Sequence, residues 1–314
     1  MSQPISQLTQ ARAHPAEFSG ELAGHRFLMT SVRTGNTEIF CIDPYTGTAI
    51  NLTKSPSSHQ RYPSWAPDGT RIAFTSDRQG AYNLYVMDAD GGNVRQLTHV
   101  DAPQVVYFPN WSGDGNRIVF GLAGCEPPLM CEIDASGGAY RVLGEGRDPH
   151  ISPDGKLLAF TRYLSSGYSV FLMELANGAI KQVTAHENPM GAVTPTFSPD
   201  GKTIVYSDAV DGCLELFAVS VEGGEIRQLT ELRQIATCAA WSPDGKWITF
   251  RLTDEDFWNQ ADRMEIAYAE RRADKRPVWV MRADGQEPHP LETLRYQCGI
   301  DGSRAVWDPL GGSI

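Results

Sequence analysis

Nowhere in its 314 residues does this chain string together the roughly 18 apolar residues needed to cross a bilayer. Its first twenty residues also lack the basic start and apolar stretch of a secretory signal. The first absence argues against membrane insertion. The second predicts cytoplasmic residence, or periplasmic residence if a leader was removed. Positive charge is scarce as well: 27 Lys and Arg stand against 38 Asp and Glu, a net charge of −11. A nucleic-acid partner is therefore not expected, because phosphate recognition needs clustered cations. The longest basic run, Arg271-Arg272 with Lys275-Arg276, lies beside Asp254, Glu255, Asp256, Asp262, Glu265 and Glu270, as in a salt-bridged surface insertion.

Cysteine chemistry is equally thin. Six cysteines (Cys41, Cys125, Cys131, Cys213, Cys238, Cys298) fall at irregular places with no CxxC pair. Zinc binding lacks its spacing, and free thiols are expected. Cys125 and Cys131 alone are near enough in sequence for a local bridge in an oxidising compartment. No Gly-x-Ser-x-Gly elbow occurs, so no nucleophile and no catalytic residue is assigned.

What the chain does have is a repeated phrase. Trp65-Ala66-Pro67-Asp68-Gly69, Trp111-Ser112-Gly113-Asp114-Gly115, Ile151-Ser152-Pro153-Asp154-Gly155, Phe197-Ser198-Pro199-Asp200-Gly201 and Trp241-Ser242-Pro243-Asp244-Gly245 carry their Asp at spacings of 46, 40, 46 and 44 residues. That period is the length of one four-stranded propeller blade. Within a repeat, Tyr62 to Trp65 reads as an inner strand and Pro67-Asp68-Gly69 as a turn. Arg71 to Ser76 and Tyr82 to Asp88 read as second and third strands, and Val94 to Thr98 as the outer one. Third strands recur at 215–219 and 278–281, and outer strands at 180–184 and 226–230. Segments such as Ile72-Ala73-Phe74, apolar on both faces, suit sheets packed between two neighbours. The aromatics Trp65, Trp111 and Trp241 read as core residues between blades.

The N-terminal segment supplies second, third and fourth strands (26–31, 37–43, 48–53) but no good first one. Its missing phrase stands at the other end, as Ala305-Val306-Trp307-Asp308-Pro309. The expected fold is thus an all-β, six-bladed propeller of four-stranded antiparallel blades, with the C-terminal strand joining the N-terminal blade and leaving no open edge. Seven blades is the alternative, because Ile5 to Thr9 also resembles an outer strand. Residues 1–20 read as an N-terminal extension and 21–314 as one propeller domain. An insertion at 253–277 stretches the spacing from Asp244 to Asp308 to 64 residues.

The repeat resembles the WD-like "PD" repeats of the TolB propeller family over about residues 20 to 314. Related repeats occur in the propellers of prolyl oligopeptidases and oligogalacturonate lyases, so the resemblance implies an architecture and leaves activity open. TolB itself carries an α/β domain ahead of its propeller and works in a periplasmic cell-envelope complex. Neither that domain nor an export signal is read here, and no hydrolase domain of the peptidase type follows.

Function is expected at the funnel end, where second-to-third connections and the connections between blades emerge together. His59, Arg61, Tyr107, His150, His186, Asp208, Trp258 and Tyr296 are the candidate ligand-binding residues, read as lying in those connections. Aromatics stack on apolar faces while Arg and Asp fix polar groups. The expected role is a non-catalytic binding or scaffold propeller engaging a protein segment or small ligand, with no cofactor. The alternative is a metal-dependent lyase or hydrolase on acidic oligosaccharides. It needs a divalent cation held by His59, Gln60, His150, His186 or Gln297, and a base to take the proton α to a uronate carboxylate.

Overall fold

Each residue of the repeated Ser-Pro-Asp-Gly phrase has a mechanical task in the folded chain. A computed structural model describes residues 22–32, 34–184, 191–253, 278–291 and 305–310. In it the turn glycines Gly69, Gly115, Gly155, Gly201 and Gly245 hold φ of 66 to 71°, a left-handed value that residues with a Cβ avoid. The serines Ser112, Ser152, Ser198 and Ser242 donate to the turn aspartate at 2.5–2.6 Å. Each also accepts the backbone N–H five residues on, at 2.9–3.0 Å. Where Ala66 stands in place of serine, Thr70 Oγ1 supplies the missing donor to Asp68, at 2.8 Å.

These turns join the first and second strands of four-stranded antiparallel sheets. Strands β1 (Phe27–Ser31), β2 (Glu38–Ile42) and β3 (Ala49–Asn51) come first in the chain. β4 (Gln60–Trp65), β5 (Arg71–Ser76), β6 (Asn83–Asp88) and β7 (Arg95–Gln96) make one sheet in sequence order, and β8 (Val105–Trp111), β9 (Arg117–Ala123), β10 (Leu129–Asp134) and β11 (Arg141–Glu145) the next. β12 (Arg147–Ile151), β13 (Leu157–Leu164), β14 (Gly167–Glu174) and β15 (Ile180–Gln182) repeat the order. So do β16 (Val193–Phe197), β17 (Thr203–Val210), β18 (Cys213–Ser220) and β19 (Arg227–Gln228). A further set is β20 (Ile235–Trp241), β21 (Trp247–Thr253), β22 (Val278–Arg282) and β23 (His289–Pro290), tied to the set before it by the single parallel pair Leu214 and Ile235. Strand β24 (Val306–Trp307) pairs with β1, Phe27 opposite Trp307, and gives the order β24-β1-β2-β3.

The repeated Arg-Gln-Leu-Thr of the outer strands is explained by contacts. Arg95 and Arg227 donate to backbone carbonyls of the following sheet, at Ser136 and Asp284, and Lys181 does the same at Glu222. Gln96, Gln182 and Gln228 cap the carbonyl of the threonine two residues on, each at 2.7 Å. Leu97 and Leu229 enter the core. Thr98, Thr184 and Thr230 accept a third-strand N–H through Oγ1 at 2.9–3.0 Å, so the hydroxyl takes the place of a ladder carbonyl. The outer strands are accordingly shorter than the sequence reading of 94–98, 180–184 and 226–230.

The apolar clusters lie between neighbouring sheets: Phe120 packs with Leu84 and Val86, and Phe250 with Val205 and Leu216. Trp65 and Trp111 are buried in such clusters, as expected. The extension at 1–20, the 254–277 part of the insertion and the N-terminal strand proposed for a seventh blade lie outside the described residues. The five cysteines within them, including Cys125 and Cys131, are free thiols.

Candidate functional site

The inner strands carry the irregularity that builds the site. In β4, β8, β12, β16 and β20 the register with the second strand slips at the same place, a β-bulge. There Tyr62, Phe108, Asp148, Thr194 and Cys238 adopt φ of 46 to 57°. Left-handed backbone in a non-glycine residue is strained, and proline follows four of these five residues, where extended backbone is the norm.

Next to the bulges is an axial cavity of about 180 Å³. Side chains of β4, β8, β12, β16, β20 and β24 all line it, and each of these inner strands touches the next in that order, with β24 touching β4. Tyr62 and Phe108 form an aromatic wall, ring centroids 4.5 Å apart. Ser64, Asn110, His150 and Thr196 supply polar groups, and Ala240, Trp241, Val306 and Trp307 an apolar side. The space is open at one side and large enough to take an inserted side chain.

The residues read from the sequence as lying in connections sit largely in strands. Arg61 is in β4, Tyr107 in β8, His150 in β12 and Asp208 in β17. For the inner-strand residues the bulge is the reason: pairing resumes beyond it for one to three residues, whereas Asp208 lies in the long second strand β17. Only His150 of these lines the axial cavity. Its Nδ1 accepts the Phe197 N–H at 3.4 Å and its Nε2 meets Thr196 Oγ1 at 3.1 Å, so it stitches β12 to β16. Asn110 does the same job one sheet earlier, accepting the Ile151 N–H at 2.9 Å. His59 lies just before β4, where its Nδ1 meets the Thr37 N–H at 3.3 Å and its own N–H donates to Asp77 at 2.7 Å. His186, Trp258, Tyr296 and Gln297 lie outside the described residues.

Arg61 and Arg147 occupy the same place in two inner strands, opposite Thr75 and Thr161. Each lies over a tyrosine of its own sheet, Arg61 over Tyr82 at 4.7 Å and Arg147 over Tyr168 at 5.9 Å, a cation–π contact. Tyr107, between them, lays its ring on Gly121, where a Cβ would come within 2.4 Å of the ring. Burial pushes the Tyr107 hydroxyl far above its ordinary value; the charge of Asp148 adds to this and that of Arg147 opposes it. Asp208 is buried beside Tyr206, whose hydroxyl burial also pushes up. Glu215 is raised by burial although Thr230 and the Arg233 N–H bond to it. Among the described residues no three of His, Cys, Asp and Glu gather as a metal site would require, and no helix is long and apolar enough to cross a membrane.

Residues 3–148 and 147–267 match the family described as TolB beta propeller domain. The chain belongs to this family. Among solved structures, this TolB-type propeller is similar to a putative TolB from Agrobacterium tumefaciens, at 19% identity and a TM-score of 0.68, covering 92% of this chain and 95% of the other. It is also similar to a chain from the nidogen/laminin complex, at 11% identity and a TM-score of 0.65 over 90% and 98% of the two chains. An oligogalacturonate lyase in complex with manganese aligns at 13% identity and a TM-score of 0.53, over 84% and 72%. These likenesses show the fold. One curated relative, the uncharacterized peptidase YuxL of Bacillus subtilis, is 51% identical over 39 residues, which are 12% of this chain and 6% of its own length.

Sequence reading missed Tyr62, Phe108, Asn110, Thr196 and Trp307 as lining residues of the TolB-type cavity, and took Trp241 for core alone. A signal was present: Pro63, Pro109, Pro149 and Pro195 recur two residues before the phrase. Proline inside a strand marks a bulge.

Proposed function

We propose that the protein is a six-bladed propeller, closed by β24, that binds a segment of a partner protein at its funnel without catalysing a reaction. Six inner strands around one cavity support the blade count. Closure is supported by Asp308, whose N–H donates to Arg26 O at 2.8 Å across 282 residues. This is the bond that Ser112 makes with Arg117 within a continuous repeat. The Asp308 carboxylate also pairs with the Arg26 guanidinium.

The observation that carries the binding reading is the axial cavity, where six inner strands contribute unlike side chains to a shared surface. It has room for an inserted side chain, and His59 and His150 both have ring nitrogens committed to the walls around them. A protein partner is also in keeping with the propeller-like chain of the nidogen/laminin complex. A lyase acting on acidic oligosaccharides would have to bring a polyanion to a chain of net charge −11.

The test fills the cavity. Random dodecapeptides displayed on phage are selected on the full-length protein, and the winners are measured against Ala240→Leu, its fold checked by circular dichroism. Loss of binding by about tenfold or more supports the reading, since a displaced anchor side chain costs that much. Undiminished binding, or manganese-dependent cleavage of oligogalacturonate by the pure protein, overturns it.

A further inference from the structure

The polar groups that line the axial cavity are not balanced between donors and acceptors. Just before the signature residue of each inner strand stand Ser64, Asn110, His150, Thr196, Ala240 and Val306, and all six line the space. Asn110 turns Oδ1 to the Ile151 N–H at 2.9 Å. That bond fixes which end of the amide serves the wall, and Nδ2 keeps its two hydrogens. His150 Nδ1 accepts the Phe197 N–H at 3.4 Å, so the imidazole is neutral with its proton on Nε2. Nε2–H then donates to Thr196 Oγ1 at 3.1 Å, and the Thr196 hydroxyl has its own hydrogen left to donate. Ser64 serves the wall through its main chain, its carbonyl accepting the Trp111 Nε1–H at 3.1 Å. Its Oγ can therefore both donate and accept. The side-chain acceptors Asn110 Oδ1 and His150 Nδ1 are thus spent on the scaffold, while hydrogens of Ser64, Asn110 and Thr196 remain. Neither lysine nor arginine lines the cavity.

We propose that the cavity takes the amide end of a glutamine or asparagine side chain of the partner segment. The inference rests on the binding reading above and names the group that is inserted. An amide carries a carbonyl oxygen for the Asn110 Nδ2 donors and an N–H that Ser64 Oγ can accept. These two residues stand at the same position in β4 and β8, strands that the Trp111 indole ties together. Every other kind of side-chain end leaves something uncompensated. An aliphatic or aromatic end strips water from Asn110 Nδ2 and returns no bond. An ammonium meets donors with its own donors. A carboxylate is desolvated with no cation beside it, since His150 is neutral in its bonded form.

The peptides selected on the full-length protein are resynthesised and scanned with alanine to find the anchor, the residue whose contribution is lost in Ala240→Leu. Glutamine or asparagine is expected there. Replacing a glutamine anchor by methionine, or an asparagine anchor by leucine, keeps the size and removes the amide. Binding to the unaltered protein should weaken about tenfold, and binding to Ser64→Ala by less than about threefold. Asn110→Asp keeps the acceptor that the Ile151 N–H needs and puts oxygen where Nδ2 stood. A lysine anchor should then bind it better than the amide, the reverse of the order on the unaltered protein. Circular dichroism and thermal unfolding check that both variants fold. An aromatic, aliphatic or charged anchor that Ala240→Leu rejects overturns the amide inference and leaves the funnel reading standing. So does an amide anchor whose preference neither Ser64→Ala nor Asn110→Asp alters. Peptides indifferent to Ala240→Leu, or no enrichment at all, overturn both readings.

Discussion

If β24 fastens the ring, removing its anchor should loosen the N-terminal sheet in particular. Trp307 is that anchor: it is buried, packs on Phe27 at a centroid distance of 4.4 Å and donates Nε1–H to Ala240 O and Thr249 Oγ1, both at 3.2 Å. Its ring therefore touches the second strand of its own sheet while bonding to the first and second strands of another. A buried aromatic of this size removes about 150–250 Å² from water, worth about 4–6 kcal/mol as an upper figure. Trp→Ala replacements in cores cost about 3–5 kcal/mol, and we expect Trp307→Ala to cost about 4. Trp111→Ala is the matched control. Trp111 is equally buried and bonds across the same kind of interface, its Nε1–H to Ser64 O at 3.1 Å, but within a continuous stretch of sheets. Guanidinium unfolding followed by circular dichroism should show similar losses for the two. Hydrogen exchange should separate them, with the amides of β1 and β2 losing protection in Trp307→Ala and keeping it in Trp111→Ala. Equal β1 and β2 protection in both variants, or a loss below about 1.5 kcal/mol for Trp307→Ala, would refute the fastening role.

Three further outcomes are expected. Gly121→Ala should cost about 1–3 kcal/mol by driving a Cβ into the Tyr107 ring, and Gly121→Ala combined with Tyr107→Ala should recover part of the loss, read from unfolding midpoints. Asp114, Asp154 and Asp200 are held below the ordinary 3.8, first by the hydrogen bond from Ser112, Ser152 and Ser198. Their folded pKa is lower than the unfolded one, so their contribution is complete above 3.8 and is lost as pH falls through the folded value. NMR titration of the carboxyl carbons checks this, and midpoints at or above 3.8 would contradict it. For the thiols, burial pushes Cys41 up to about 11 and Cys131 up to about 12, so in native protein at neutral pH both should resist alkylation. Among the described cysteines, the half-buried Cys125 and Cys213 should react first, as judged by mass spectrometry.

The scaffold was legible in the sequence because its parts repeat. Ser-Pro-Asp-Gly and Arg-Gln-Leu-Thr name local bonds, and local bonds recur wherever the residues do. Even the displaced strand at Trp307 could be found by its likeness to Trp65. The site was less legible for the opposite reason. Tyr62, Phe108, Asp148, Thr194 and Cys238 share a backbone conformation and no chemistry, so no pattern of side chains announces them. Arg61 and Tyr107 were found as polar or aromatic residues near the funnel, but were assigned to connections because the bulge that lengthens the inner strands is invisible to alternation, while Asp208 lies in the second strand β17, which runs on to Val210. His150 was named for its chemistry, and its role in joining β12 to β16 appears only when Asn110 is seen doing the same.

That pairing of Asn110 with His150 bears on how such a scaffold acquires a binding site at all. The position lines the cavity and also accepts a backbone N–H of the next inner strand. A replacement of Asn110 or His150 must therefore keep an acceptor, or leave the N–H of Ile151 or Phe197 unpaired at a cost of about 1–3 kcal/mol. The bulge residue stands two positions earlier in the same strand. Its constraint is the left-handed backbone, which Tyr62, Phe108, Asp148, Thr194 and Cys238 all satisfy with different side chains. Chemical variety is thus cheapest at the bulges, because there the strand geometry is set by the main chain, and the aromatic side of the funnel begins at two of them.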